Sequence, residues 1–446
     1  MKYLFLAYLI INPLFFMLDM EFRQAQEWCF QLSGLAILGA SLFFRHKEIK
    51  RDALNITIGI MLLWFLLIYI LNLTGWSILL NFALGILIYL VAIKTLEKED
   101  YYLLAKGFAG IFIFSIIFQA TQALGFDIRG QNVIIGPRGG IHEGLVPDCS
   151  FFGLKASMGM YYAIVIAFLL PNLWFMRRDY RDRKLRIKII ISALISLFLG
   201  LLFVPLATSY STSAYLAGVA VILFIFWFRK RILFWLFLAP LLIGAIFFII
   251  KMDSPMGMMT SRLPMWGMVL QDTWKQPIFG YGLDSFRQPE KKMETHKQIT
   301  RYYKNSFNDR TYRANKDIVV QNYQVIDWRT IGEIPVNDRK QFEERLSKNK
   351  NPLDFWDSPH NIYLWFPYET GFIGLGLFIT IISFATIKFK RSKRGIIETA
   401  AFAAILSILV SGLTQFPFHL NRIAHTIPIL GAIFYLATED KYEVTA

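Results

Sequence analysis

The chain has two cysteines, Cys29 and Cys149, in 446 residues. Two cysteines cannot build a disulfide framework. Both map near helix ends on one face, where an oxidising compartment permits a bond, and with only two of them we read unpaired thiols. Other absences are as informative. There is no Walker loop, no pair of closely spaced aspartates to hold a sugar-nucleotide metal, and no serine-nucleophile elbow, so the chain does not read as a nucleotide-using enzyme. GYGLDSF has Gly280 and Gly282 but Ser285 where a third glycine would fall, which excludes a dinucleotide loop. No repeat of 20–50 residues and no low-complexity segment is present. Charged residues are only 18% of the chain, and acidic ones (32) are far fewer than basic ones (47).

What is present is apolar. The chain is 55% hydrophobic with mean hydropathy +0.44, too apolar for a soluble protein of this length. A spanning helix needs roughly 20 mostly apolar residues. Twelve such stretches occur, at 2–18, 28–44, 53–71, 76–93, 102–120, 151–171, 189–206, 211–228, 232–250, 366–387, 396–414 and 423–437. The first has no small-residue cleavage site before Asp19, so it is expected to be an uncleaved span. The fold class expected is therefore an all-α polytopic membrane protein of about 12 spans. Residues 1–250 form a bundle of nine spans with an outside loop at 121–150, 251–365 form one large extracytoplasmic loop with short helices, and 366–446 carry the last three spans.

The net charge of +15 is a matter of topology. Arg45, Lys47, Lys50 and Arg51, then Lys94, Lys98 and Lys106, then 177–188, 229–231 and 388–394 all fall on one side of an alternating path. The positive-inside rule puts that side, and both termini, in the cytoplasm. Basic runs so placed are topology signals and lipid-headgroup contacts, not a nucleic-acid surface. The 251–365 loop carries 18 Lys/Arg and 14 Asp/Glu, so it is mixed in charge. Within it, 296–307 and 337–350 read as amphipathic helical pieces, while 317–328 is rich in β-branched residues and reads as extended. A loop this long is uncommon unless functional.

Polar residues concentrate at outer helix ends, so the working face is expected to be extracytoplasmic. In SPHNIYL, Ser358-Pro359 breaks the chain and places His360 and Asn361 at or near a helix N-terminus. That position disfavours imidazolium and leaves a neutral base able to take a hydroxyl proton. Ordinary capping is the competing role. Glu369 follows near the water-side end of span 10, either orienting a base or anchoring at the interface, and the glycines after it suit close helix packing. Arg262 and Trp266 share a helical face, and arginine suits phosphate oxygens, although an interfacial arginine beside a belt tryptophan is common. Arg138 lies in a tight polar turn. His142, Glu143 and Asp148 follow it without a recognisable metal spacing. Lys155 sits just inside span 6, as a functional candidate or a snorkelling side chain. Tyr210 and Ser211 belong to a hydroxyl-rich turn, and His419 and Arg422 to the outer end of span 12.

The order of these motifs carries a resemblance. It runs R-x-G before P-x-x-x-F-x-G (Arg138, Gly140, Pro147, Gly153), then R-x-x-x-W and P-x-x-G-x-G (Arg262, Trp266, Pro277, Gly280, Gly282). H-N-x-x-L with E-x-G-x-x-G follows (His360, Asn361, Leu364, Glu369, Gly371, Gly374), and last an F-P-x-H stretch. Over roughly 130–435 the chain resembles the O-antigen ligase/polymerase family. The resemblance implies a GT-C-like fold and transfer of a glycan from undecaprenyl diphosphate to a periplasmic acceptor: lipid A core, a growing polysaccharide or a protein hydroxyl. It implies His360 as base and Arg262 as diphosphate clamp, with no cofactor and no metal. Ligases of the family usually carry a further arginine near a turn between two middle spans. Here that turn reads TSYSTSAYL and has no arginine, a departure from the ligase pattern that leaves either Arg138 or Arg422 to fill the gap or a polymerase or more distant relative in place of a ligase. The competing expectation is a transporter or flippase. Repeat symmetry and midplane broken helices mark that class, and the sequence shows neither.

Overall fold

The computed structural model describes residues 1–15, 23–44, 52–123, 134–135, 141–142, 155–179, 212–229, 235, 238, 266–267, 269–286, 318–321, 324–327, 359, 361–413, 424 and 426–439. The amphipathic pieces expected at 296–307 and 337–350, and the spans expected at 189–206 and, but for two residues, 232–250, lie outside them.

Helix dominates the described residues. The helices are α1 (Lys2–Phe15), α2 (Arg23–Ser41), α3 (Ala53–Asn72), α4 (Trp76–Thr95), α5 (Tyr101–Ala123), α6 (Lys155–Asp179), α7 (Thr212–Arg229), α8 (Ile362–Arg391), α9 (Ile396–Ser411) and α10 (Thr426–Glu439). Three of them, α3, α4 and α8, are long and apolar enough to cross a membrane. Shorter apolar helices accompany them in α1, α2, α6, α7, α9 and α10. A 3₁₀ turn at Lys98–Asp100 precedes α5, and two short antiparallel hairpins are also described. One pairs β1 (Ile134–Ile135) with β2 (Ile141–His142), the other β3 (Ile318–Gln321) with β4 (Gln324–Asp327). The second falls on the segment expected to be extended. β2 lies against β4, so the 121–150 and 251–365 segments meet there.

Local chemistry sets the helix ends. Asp52 caps α3 by accepting from the Asn55 N–H, and Leu73 ends that helix in the left-handed conformation (φ 53). Gly75 (φ 76) then starts α4. Asn361 caps α8, and Lys388, Lys390 and Arg391 stand in its last turn, where cations suit the helix dipole. Pro171 lies in the interior of α6 and Pro367 in that of α8. The apolar count stopped span 6 at the first and began span 10 beside the second. The helices run through both, so α8 begins four residues earlier than expected.

α6 is buried on every face from Gly159 to Pro171, with α5, α7 and α9 packed around it. A helix apolar all round must be enclosed by protein or lipid. Because lipid is as apolar as leucine, packing and interhelical hydrogen bonds hold such a bundle. Asn12 donates to Ser33 (3.1 Å), Gln31 to Asn81 (3.1 Å), Tyr89 to Asn55 (2.9 Å) and Tyr101 to the Phe168 carbonyl (2.9 Å). A second apolar cluster joins Phe65, Ile68 and Leu79 to Trp365, Phe366 and Leu283, and holds the first half of α8 against α3 and α4.

Ion pairs gather at one end of the bundle. Lys2 meets Asp100 (3.4 Å) and Lys98 meets Glu398 (3.2 Å), while Lys388 pairs with Asp52 and lies 4.2 Å over the Tyr435 ring. This end holds the starts of α1, α3, α5 and α9 and the end of α8. The opposite end holds the α3–α4 turn, the start of α8 and the end of α9, where the Ile362 N–H donates to the Gly412 carbonyl (2.8 Å). The candidate motifs at Trp266–Phe286 and Asn361 sit at that second end.

Candidate functional site

The site is built where residues 266–286 fold back onto α8. Residues 269–273 are helical, and Trp266, just before them, donates its Nε1–H to the Pro359 carbonyl (2.9 Å). Two residues on, Asn361 is extended (φ −154, ψ 115) and its side-chain oxygen accepts from the N–H groups of Tyr363 (2.9 Å) and Leu364 (3.3 Å). Both chain neighbours of His360 are therefore fixed, one through its carbonyl and one as the helix cap. Asn361 spends its carbonyl oxygen on capping, the role that asparagine at a helix start ordinarily plays.

Further along, α8 is broken. Gly371 stands at φ 71, ψ 176 inside the helix. A Cβ there would overlap the Ile278 carbonyl oxygen, so glycine is required both by the backbone angle and by the approach of the loop. A helix break frees backbone groups that must find partners inside a membrane, and the loop Pro277–Phe286 supplies them. The Phe372 N–H donates to the Pro277 carbonyl (2.7 Å), the Tyr281 N–H to Tyr368 (2.9 Å) and the Gly282 N–H to Glu369 (3.0 Å). The carbonyl of Thr370 accepts from Trp64 Nε1 on α3 (2.9 Å). Gly280 (φ 67) and Gly282 (φ 96) make this approach possible; a Cβ on Gly280 would stand 2.6 Å from the backbone of α8. The two glycines that fail as a nucleotide loop thus serve as the backbone that seals a broken helix.

Glu369 is the polar centre of the seam and is fully buried. Its carboxylate accepts from the N–H groups of Asp284 (2.7 Å) and, at longer range, Phe286 (3.5 Å). This corrects the expectation of an interfacial anchor, because the group has no exposure. The glycine expectation also changes: Gly371 admits a loop backbone, not a neighbouring helix. From Ile362 to Gly371 is nine residues, about 13 Å along the axis, so the break lies inside α8 and not at its first turn. The sequence showed no broken helix, and α8 is broken at Gly371. On its exposed side the seam shows Trp274 and Ile278, 66% and 54% exposed, with Trp274 against Phe372 at 5.0 Å.

Asp272, nearly buried, pairs with Lys275 (2.7 Å), and Tyr281 donates to the Asp272 carbonyl (3.0 Å). Trp64, Tyr281 and Asp284 belong to the seam and were not singled out in the sequence. Trp64 carried one signal, a polar N–H in the middle of an apolar span.

Of the other candidates, His360, Arg262, Arg138, Arg422, His419, Tyr210 and Ser211 lie outside the described residues, and Lys155 is described only as the first residue of α6. Of the metal candidates, Glu143 and Asp148 also lie outside. Among the described residues no cluster of three or more His, Cys, Asp or Glu side chains forms. A scan against protein-family models and a search of curated proteins return no match for this chain.

Proposed function

We propose that the protein is a membrane glycosyltransferase of the O-antigen ligase or polymerase type. It moves a glycan from undecaprenyl diphosphate to an acceptor hydroxyl on the periplasmic side of a bacterial inner membrane, with both termini in the cytoplasm and a GT-C-like bundle of about 12 spans. The observation that supports this is the Trp266–Pro359 hydrogen bond (2.9 Å). It ties the motif holding Arg262 to the motif holding His360, although 93 residues separate its two partners. The seam beneath it ties P-x-x-G-x-G to E-x-G in the same way.

In this reading His360 takes the acceptor proton, and Arg262, with Arg138 or Arg422, holds the diphosphate. Diphosphate is a good leaving group once its charge is held, and preorganised cations of this kind are worth several kcal/mol. In one in-line attack the acceptor oxygen bonds the anomeric carbon from the far side, the bond from that carbon to the diphosphate oxygen breaks, undecaprenyl diphosphate leaves, and the centre is inverted. Trp266, Asn361 and Glu369 keep the two motifs in register. Tyr210, Ser211, Lys155 and His419 are supporting contacts to donor or acceptor. The acceptor is lipid A core, a growing glycan or a protein.

The test is transfer in vitro from undecaprenyl-diphosphate glycan. His360→Ala is expected to abolish transfer with thermal unfolding unchanged, and Arg262→Ala to reduce it at least a hundredfold. Full activity in His360→Ala would remove the base and this reading with it.

One observation favours a second reading. A helix broken within an apolar span, as α8 is at Gly371, is a transporter feature. Against it, the carbonyls of Tyr368, Glu369 and Thr370 already accept from the loop and from Trp64, so the break is closed by protein rather than opened to a coordinated ion. Flipping or uptake in liposomes without glycan transfer would favour transport.

A further inference from the structure

We propose that the groove between α1 and α5 holds one acyl chain of an anionic phospholipid, with the headgroup phosphate against the Lys106 ammonium. The groove encloses about 390 Å³, within the range of ligand sites. Leu6 and Ile10 form one wall, and Leu103, Ile111 and Phe114 the other. Its floor is Gly107 and Gly110: Leu6 packs onto the first, and the second has nothing within 4 Å of its Cβ position. A missing side chain there leaves a channel along the helix pair.

Charge complementarity selects the occupant. Among the described residues lining the groove, Lys106 is the ionisable one, and it is exposed. It lies five residues into α5 from Tyr101, about 7–8 Å from the helix start, within reach of a headgroup by snorkelling. The start of α5 is at the ion-paired end of the bundle, where Lys2 holds Asp100 (3.4 Å). That acid is engaged twice, because its second oxygen accepts the Glu97 N–H (3.0 Å). An ammonium at the edge of hydrocarbon is costly without a counter-charge, and a lipid phosphate supplies one while its tail fills the channel. A neutral lipid fills the channel without meeting the ammonium with net charge. This proposal is independent of glycan transfer and stands or falls without it.

The experiment uses the full chain in nanodiscs of plain phosphatidylcholine. Phosphatidylglycerol with a diazirine in one acyl chain is compared with the same probe on phosphatidylcholine, and labelled peptides are mapped after illumination. The anionic probe is expected to label the peptides of Leu6–Ile10 and Ile111–Phe114 at least fivefold more than the neutral one. Gly110→Leu, which fills open space, should remove that labelling with thermal unfolding unchanged. Lys106→Gln, a surface change that leaves packing intact, should bring the anionic probe down to the neutral level. Equal labelling by the two probes, or an unchanged pattern in Lys106→Gln, overturns the proposal.

Discussion

The carboxylate of Glu369 lies 2.7 Å from the backbone N–H of Asp284, 85 residues earlier in the chain. Asp284 is held in the left-handed conformation (φ 60), which aims its N–H at the buried acid. Leaving a buried hydrogen-bond donor without its acceptor costs about 1–3 kcal/mol. Glu369→Gln keeps the volume but turns one donor toward another donor, and is expected to cost about 2 kcal/mol. The measurement is thermal unfolding in detergent together with hydrogen exchange at Asp284 and Phe286. Both amides should exchange faster in the variant while those of α6 do not change. Uniform loss of protection, or none, would detach Glu369 from the loop.

Gly371 and Gly376, five residues apart on α8, make a matched pair. Gly371→Ala places a Cβ on the Ile278 carbonyl at a positive φ, whereas nothing lies within 4 Å of the Cβ position of Gly376. The first substitution is expected to cost more than about 4 kcal/mol, in the range reserved for strained backbone and overpacking. The second should be neutral or stabilising by up to about 1 kcal/mol, from helix propensity. Thermal unfolding of the two variants side by side reads the difference. Equal effects would mean that the break in α8 does not depend on the glycine.

Much of the bundle was legible because hydrophobic runs of bilayer length leave few alternatives. α3 and α4 stand within two residues of the stretches counted at 53–71 and 76–93. The break in α8 was not legible. Its cause is a loop that begins about 95 residues upstream at Pro277, and a local pattern cannot report a partner so far away. Gly371 read equally well as a packing glycine until Ile278 was placed against it. Asn361 was legible as a cap from Ser358-Pro359 alone. Glu369 was legible as important but not as buried, because a carboxylate at a helix end ordinarily faces water.

Sidedness can be checked without activity. Leu73, 77% exposed at the α3–α4 turn, and Lys393, exposed just beyond α8, lie at opposite ends of the bundle. In a background carrying Cys29→Ser and Cys149→Ser, Leu73→Cys is expected to react with a membrane-impermeant maleimide in intact spheroplasts. Lys393→Cys should react only after permeabilisation. Protection of Leu73→Cys and labelling of Lys393→Cys from outside would turn the candidate site toward the cytosol, where a periplasmic acceptor cannot reach it.

Trp266 separates positioning from folding. Its indole N–H is the described bond between the two motifs assigned to base and diphosphate clamp, and Trp266→Phe keeps an aromatic ring while removing that donor. Losing one hydrogen bond of this kind costs about 1 kcal/mol, too little to unfold the bundle. Misplacing a catalytic group by about 1 Å, in contrast, can cost about a hundredfold in rate. The expected outcome is therefore a ten- to hundredfold fall in kcat for glycan transfer, with KM for the lipid-linked donor within about threefold and Tm lowered by only a few degrees. If the variant loses Tm and activity in proportion, Trp266 serves the fold. If kcat does not change, the Pro359 carbonyl is not what keeps His360 in register with Arg262.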